Sequence, residues 1–549
     1  MKMVADSRNR RGAATYYRSI ASVYAAGVVR GNSKDIMKMI EQMSSMAGRS
    51  QQQQRLRVWS ANVFVVAASC LVLLVGCGRR EEDLLPVGVP DQSVPDQSVG
   101  QRTQSNASGL SGHAASPLND PGGESDGKPG GRTEGAGTIS QYGQQASVGD
   151  DKKRSVGQLR EAALQALGAG QENVAFECAR QAMRIEPENP QVVFLFAMVL
   201  GDRQRYAEAI QLLQELSSRE PTTRLPALGQ TAEWMVDSGR YDEAESQFRS
   251  VLKEVPDALM VHHRLGQLLL QTGRRTEAAL HFDFLSQFGE LDHEELRSLL
   301  IRARAFPGDN GATRFDPLNN LAMCRQELAD GKSDQVVKVI VDAGDANSAA
   351  EQALLARLLA EQEKFDDVRK LLGKMEMAQA GADGWYAKGC LAFNDAEPKV
   401  AVACFCQTLL LDQTDVDAYR MLSRALELTG EPEIAKAIAA RAVLVEETRT
   451  MGTKLVGDQA KDLEWIQRLA QSLMKLNRPM EALGWQTIAL VHAVEAAAIT
   501  ETQAQATFEA IGRQREQLVN SGQHRINPEF VLCGLGAEVL DPIAKKSAD

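Results

Sequence analysis

Two pairs of side chains in this sequence are of the kind that holds a metal: Cys404 and Cys406, separated by one residue, and the adjacent His262 and His263. Zinc sites space their first cysteines by two to four residues and need a second pair of ligands. No second pair follows. On a helix the two thiols point to nearly opposite sides, and adjacent histidines diverge by about 100°. Both pairs therefore read as packing, with one histidine in a core interface and the other on the outside or in a groove. There is no glycine-rich phosphate loop, no G-x-S-x-G and no H-E-x-x-H. The expectation is a chain without enzyme activity, metal or cofactor.

A third cysteine stands in a different setting. Arg55 and Arg57 precede a mostly apolar run over residues 58–76, which ends Leu74-Val75-Gly76-Cys77. A basic flank before about 7–15 apolar residues is the layout of an export signal. The Leu-Val-Gly-Cys ending resembles the lipobox of bacterial lipoproteins, with Val75 larger than the usual alanine or serine. The resemblance implies that Cys77 is lipidated and becomes the mature N-terminus. Several acyl chains anchor a protein stably where one does so only marginally. The alternatives are an uncleaved membrane helix, since about 20 residues span a bilayer, and an ordinary cysteine of an apolar segment at Cys77. Residues 1–57 form a basic extension; a start at Met43 or Met46 would reduce it to a short basic leader ending at Arg57.

Charge divides the chain unevenly. Residues 1–57 carry +8, so the remainder carries −19 of the formal −11 total. A body that acidic repels phosphate and argues against nucleic acid as a partner. Residues 78–156 are rich in Gly, Ser, Pro, Gln and Asp, with no aromatic between Cys77 and Tyr142 and a tandem PDQSV at 90–99. Such a composition buries too little apolar surface to offset chain entropy, so a disordered linker is expected.

From about residue 157 the apolar spacing becomes helical. Small residues recur at Ala175, Ala209, Ala244 and Ala278, at steps of 34, 35 and 34. Pro187, Pro221 and Pro256 follow the first three by twelve residues; Gly170, Gly239 and Gly273 precede three of the four by five. Leu213, Phe248 and Phe282 come four after. Trp385, Gly389, Ala401 and Phe405 restart the pattern, and Ala435 and Ala482 continue it, with weaker units at Val336 and Val368.

This register resembles the tetratricopeptide repeat, a helix–turn–helix unit of 34 residues. The resemblance implies an all-α solenoid of about nine such units behind the disordered tether. Alanine sits where two helices cross closely, glycine ends the first helix at positive φ, and proline ends the second. The register divides the array into one block at 157–290, an irregular insert at 291–317 acting as a hinge, and a second block at 318–514. Residues 515–549 fit no repeat and are read as a cap on the last unit.

Such solenoids bind peptides on a face lined by the first helix of each unit. Carried over, that face holds His263, Gln267, Tyr386, Arg420 and Arg424. Arg420 and Arg424 share one helical side and could together hold a carboxylate. The family's clamp of paired Lys and Asn is not present. The functional expectation is a membrane-tethered scaffold in a bacterial cell envelope, facing the periplasm, that binds protein or peptide partners. The alternative is a non-catalytic accessory subunit of an envelope enzyme or transport complex.

Overall fold

The computed structural model describes residues 155–307, 315–344 and 347–546. The segments assigned above to the extension, the Cys77 signal and nearly all of the linker lie outside them. Among the described residues no helix is long and apolar enough to cross a membrane.

Among the described residues nine helical hairpins follow one another. The first four are α1 (Val156–Gly168) with α2 (Glu172–Ile185), α3 (Pro190–Asp202) with α4 (Tyr206–Arg219), α5 (Arg224–Asp237) with α6 (Tyr241–Glu254), and α7 (Leu259–Gln271) with α8 (Arg275–Ser286). The short α9 (His293–Leu299) stands alone. Then come α10 (Asn320–Ala329) with α11 (Ser333–Ala343), α12 (Ala349–Glu361) with α13 (Phe365–Leu372), α14 (Gly381–Asn394) with α15 (Pro398–Leu411), and α16 (Val416–Thr429) with α17 (Pro432–Lys454). The ninth pair is α18 (Leu463–Lys475) with α19 (Pro479–Glu495). Behind it lie α20 (Glu501–Asn520), α21 (Pro528–Val531) and α22 (Asp541–Lys546).

Each hairpin turns at one residue of positive φ. Glycine fills that place at 170, 239, 273, 331 and 430, while Gln204, Glu363, Ala396 and Asn477 hold it at φ between 55° and 60°. Five residues later comes the crossing residue of the second helix: Ala175, Ala209, Ala244, Ala278, Val336, Val368, Ala401, Ala435 and Ala482, none more than 1% exposed. A larger side chain there would separate the two helices. The repeat register read from the sequence is thus the geometry of all nine hairpins.

The chain does not run as one open array. Leu296–Phe306 and the last hairpin, α18–α19, share the core of the first four units, while α10–α17 build a second core. Helix α17 bridges them: Ala435 to Val445 belong to the second core and Met451 to the first. The extra residues expected around 451–462 are this extension of α17 and a 3-10 turn at Gly457–Lys461.

Two expectations need correction. The 291–317 insert is not a hinge through its first half: Leu299, Leu300, Ile301, Arg302, Ala303, Ala305 and Phe306 are all buried. Nor does the tail simply cap the last unit. Helix α20 packs on α19, but α21, the turn at Ala537–Leu540 and α22 return to α15. Val531 and Leu532 enter the second core. This cover explains why Cys404 and Cys406, on opposite sides of α15, are both fully buried.

Candidate binding groove and the strap that crosses it

The first helices of the second block, α10, α12, α14 and α16, would form the peptide-binding face. Residues 299–306, from the last residue of α9 through four consecutive bends at 301–304, lie against it as a strap, and side chains hold its main chain. Arg478 Nη2 donates to the carbonyl of Leu299 at 2.8 Å, and Arg275 Nη2 to that of Ile301 at 3.3 Å. The amides of Arg302 and Ala303 donate to Thr414 Oγ1 at 2.9 Å and Asp412 Oδ2 at 3.1 Å. Arg325 Nη1 donates to the carbonyl of Ala303 at 2.6 Å, and Gln326 Nε2 to that of Phe306 at 3.1 Å. Without such partners each buried peptide group would cost about 1–3 kcal/mol.

Under the strap lies a buried ion network. Arg357 of α12 is 2% exposed at its side chain. Its guanidinium donates to Asp415 at 2.5 and 3.1 Å, reaches Asp383 at 3.4 Å and Glu361 at 3.0 Å, and stacks 3.9 Å over the Tyr386 ring. Burial would raise the Asp415 carboxyl; Arg357 overrides it and holds the group down at about 2. Arg325 joins Asp383 from α10 at 2.9 Å, so three first helices share one charge cluster. Strap residue Arg304 pairs with Glu361 at 3.0 Å and Asp417 at 3.1 Å above it.

Three of the five sequence-derived groove residues are taken up inside the protein. His263 is 8% exposed, with Nδ1 3.1 Å from Glu295 Oε1, and Gln267 Nε2 donates to the same oxygen at 2.9 Å. Both therefore clasp α9, which occupies the place of the next first helix. Tyr386 is 5% exposed beneath Arg357. None of these three can line an open groove as expected. Arg420 and Arg424 remain on the exposed side of α16: Arg420 pairs with Asp417 at 3.3 Å, and Arg424 lies 5.4 Å over the Phe393 ring. They do not converge on a shared acceptor. On α14, Lys388 lies 5.0 Å over the half-buried Trp385.

The two adjacent histidines are both buried. His262 Nε2–H donates to the Pro256 carbonyl at 2.9 Å, which leaves Nδ1 to accept from His281 Nδ1–H at 2.9 Å. Burial, reinforced by His262, depresses His281 to about 4; burial, reinforced by Arg297 and His492, depresses His293 to about 3. Burial also lowers His262. His263 moves the other way: Glu295 outweighs burial and raises it. A histidine held neutral contributes stability above its unfolded pKa and loses it as pH falls toward the folded value. A histidine raised by a partner contributes below the unfolded pKa. Among the histidines three depressed groups oppose one raised group, and each strongly depressed ring loses roughly 1–2 kcal/mol of stability between pH 6.5 and 5; Asp202, raised by burial to about 6, and the raised carboxyls of Glu233 and Glu290 gain stability over the same range and offset part of that loss. Thermal melts across that range check it, and His293→Gln should flatten the slope.

Among the described residues no group of three His, Cys, Asp or Glu is placed to hold a metal. Burial pushes the thiols of Cys390 and Cys406 up to about 12 and that of Cys324 to about 11, so at neutral pH they are thiols rather than nucleophilic thiolates.

Among the described residues, nine hairpins in this register, seven with alanine and two with valine at the crossing and each with its positive-φ turn, make a tetratricopeptide-type all-α solenoid. No family model and no curated protein matches it. Among solved structures it is similar to a tetratricopeptide repeat protein from Parabacteroides merdae, at 16% identity over 49% of this chain and 98% of that one, with a TM-score of 0.24. It is also similar to a chain of the APC/C hetero-tetramer Cut9-Hcn1, at 14% identity over 72% and 91%, with a TM-score of 0.26. Both superpositions are loose, and the fold assignment rests on the nine-unit register itself.

Proposed function

We propose that this protein is a non-catalytic scaffold that binds partner proteins through the outer face of α14 and α16. It is held at a bacterial envelope membrane, facing the periplasm, by its N-terminal segment through lipid on Cys77. The observation that carries the reading is the make-up of that face. Lys388 lies over Trp385 on α14, Arg424 of α16 lies over Phe393 of α14, Arg420 is exposed one turn before Arg424, and Leu428 one turn after it is 64% exposed. Aromatic and arginine side chains around an exposed apolar residue are the composition of binding hot spots. The buried charges are used up in holding the array together, which supports a binding role over catalysis. An accessory subunit of an envelope complex would use the same face with a different partner.

The test captures partners from detergent-solubilised membranes of the native cell on the full chain, beside Arg424→Glu and Cys77→Ser. Charge reversal at a hot spot typically costs about 2 kcal/mol or more, a loss of some thirtyfold in affinity. The expected result is a protein retained by the parent chain, lost by Arg424→Glu, and still bound by Cys77→Ser protein that has left the membrane fraction. Identical captures by the parent and Arg424→Glu would contradict the assigned face. Cys77→Ser protein that stays in the membrane fraction would contradict the lipid anchor.

A further inference from the structure

We draw no further inference here: the strongest candidate, the cleft of about 390 Å³ where the two cores meet, has its floor arginines Arg302 and Arg478 already paired with Asp283 and Glu481, and nothing in the structure shows what covers the apolar mouth formed by Leu280 and Ile526.

Discussion

Replacing Arg357 by methionine is expected to lower the unfolding free energy by about 3–5 kcal/mol, because removing one partner from a buried ion cluster strands the others. Asp415 and Asp383, with side chains 4% and 7% exposed, would keep charges that no other buried arginine fully matches. Asp415 would also lose the partner that holds its carboxyl at about 2. The methionine retains the volume over the Tyr386 ring, so the loss reports charge rather than a cavity. In a solenoid the damage should stay near its source and appear as an early partial transition of α10–α17. A melt unchanged from the parent would mean that the cluster does not hold these helices together.

A second large effect is expected where the strap meets α17. A Cβ built on Gly452 would lie 2.7 Å from the Phe306 ring and 2.9 Å from Leu300 Cδ1. Gly452→Leu must therefore push the strap out or bend α17, and overpacking of this kind costs about 1–3 kcal/mol. The strap carries Arg302 and Arg304, so trypsin reads its release. Rapid cleavage there in Gly452→Leu is expected, against slow cleavage in the parent. Gly512 has open space around it and is the control: Gly512→Leu should leave the strap protected. Equal cleavage of all three would show that the strap is not locked under α17.

What was legible in the sequence follows from how local each feature is. Alanine five residues after a glycine repeats because each hairpin obeys the same short-range geometry, so the nine units could be counted from spacing. Gln204, Glu363, Ala396 and Asn477 hid four of the turns, since nothing in their types announces a positive φ. The strap was missed for a different reason. It lies inside the 291–317 stretch read as an irregular insert, next to the proline and glycines at 307–311 that mark a loop. In Ile301-Arg302-Ala303-Arg304-Ala305 apolar residues alternate with arginines, and the structure buries all of them but Arg304. Arg357 also left a trace, as a lone charge within the apolar run Ala353–Ala360. The groove assignments for His263, Gln267 and Tyr386 failed because they assumed an open face. No local pattern could show that α9 and the strap would cover it, which depends on contacts more than a hundred residues apart, such as Arg302 with Thr414 and Arg297 with Gly452.

Every assignment above depends on the repeat register, and a pair of neighbouring substitutions tests it most directly. Ala244 is fully buried at the crossing of α5 and α6, while Glu243 beside it is exposed and pairs with Arg240. Ala244→Leu forces the two helices apart and should destabilise the third unit by about 1–3 kcal/mol. Glu243→Leu points to solvent and should cost much less. The measurement is a pair of thermal melts on the full chain under one set of conditions. A clear drop for Ala244→Leu with Glu243→Leu close to the parent is the predicted result; equal losses in the two would contradict the register and every residue placed by it.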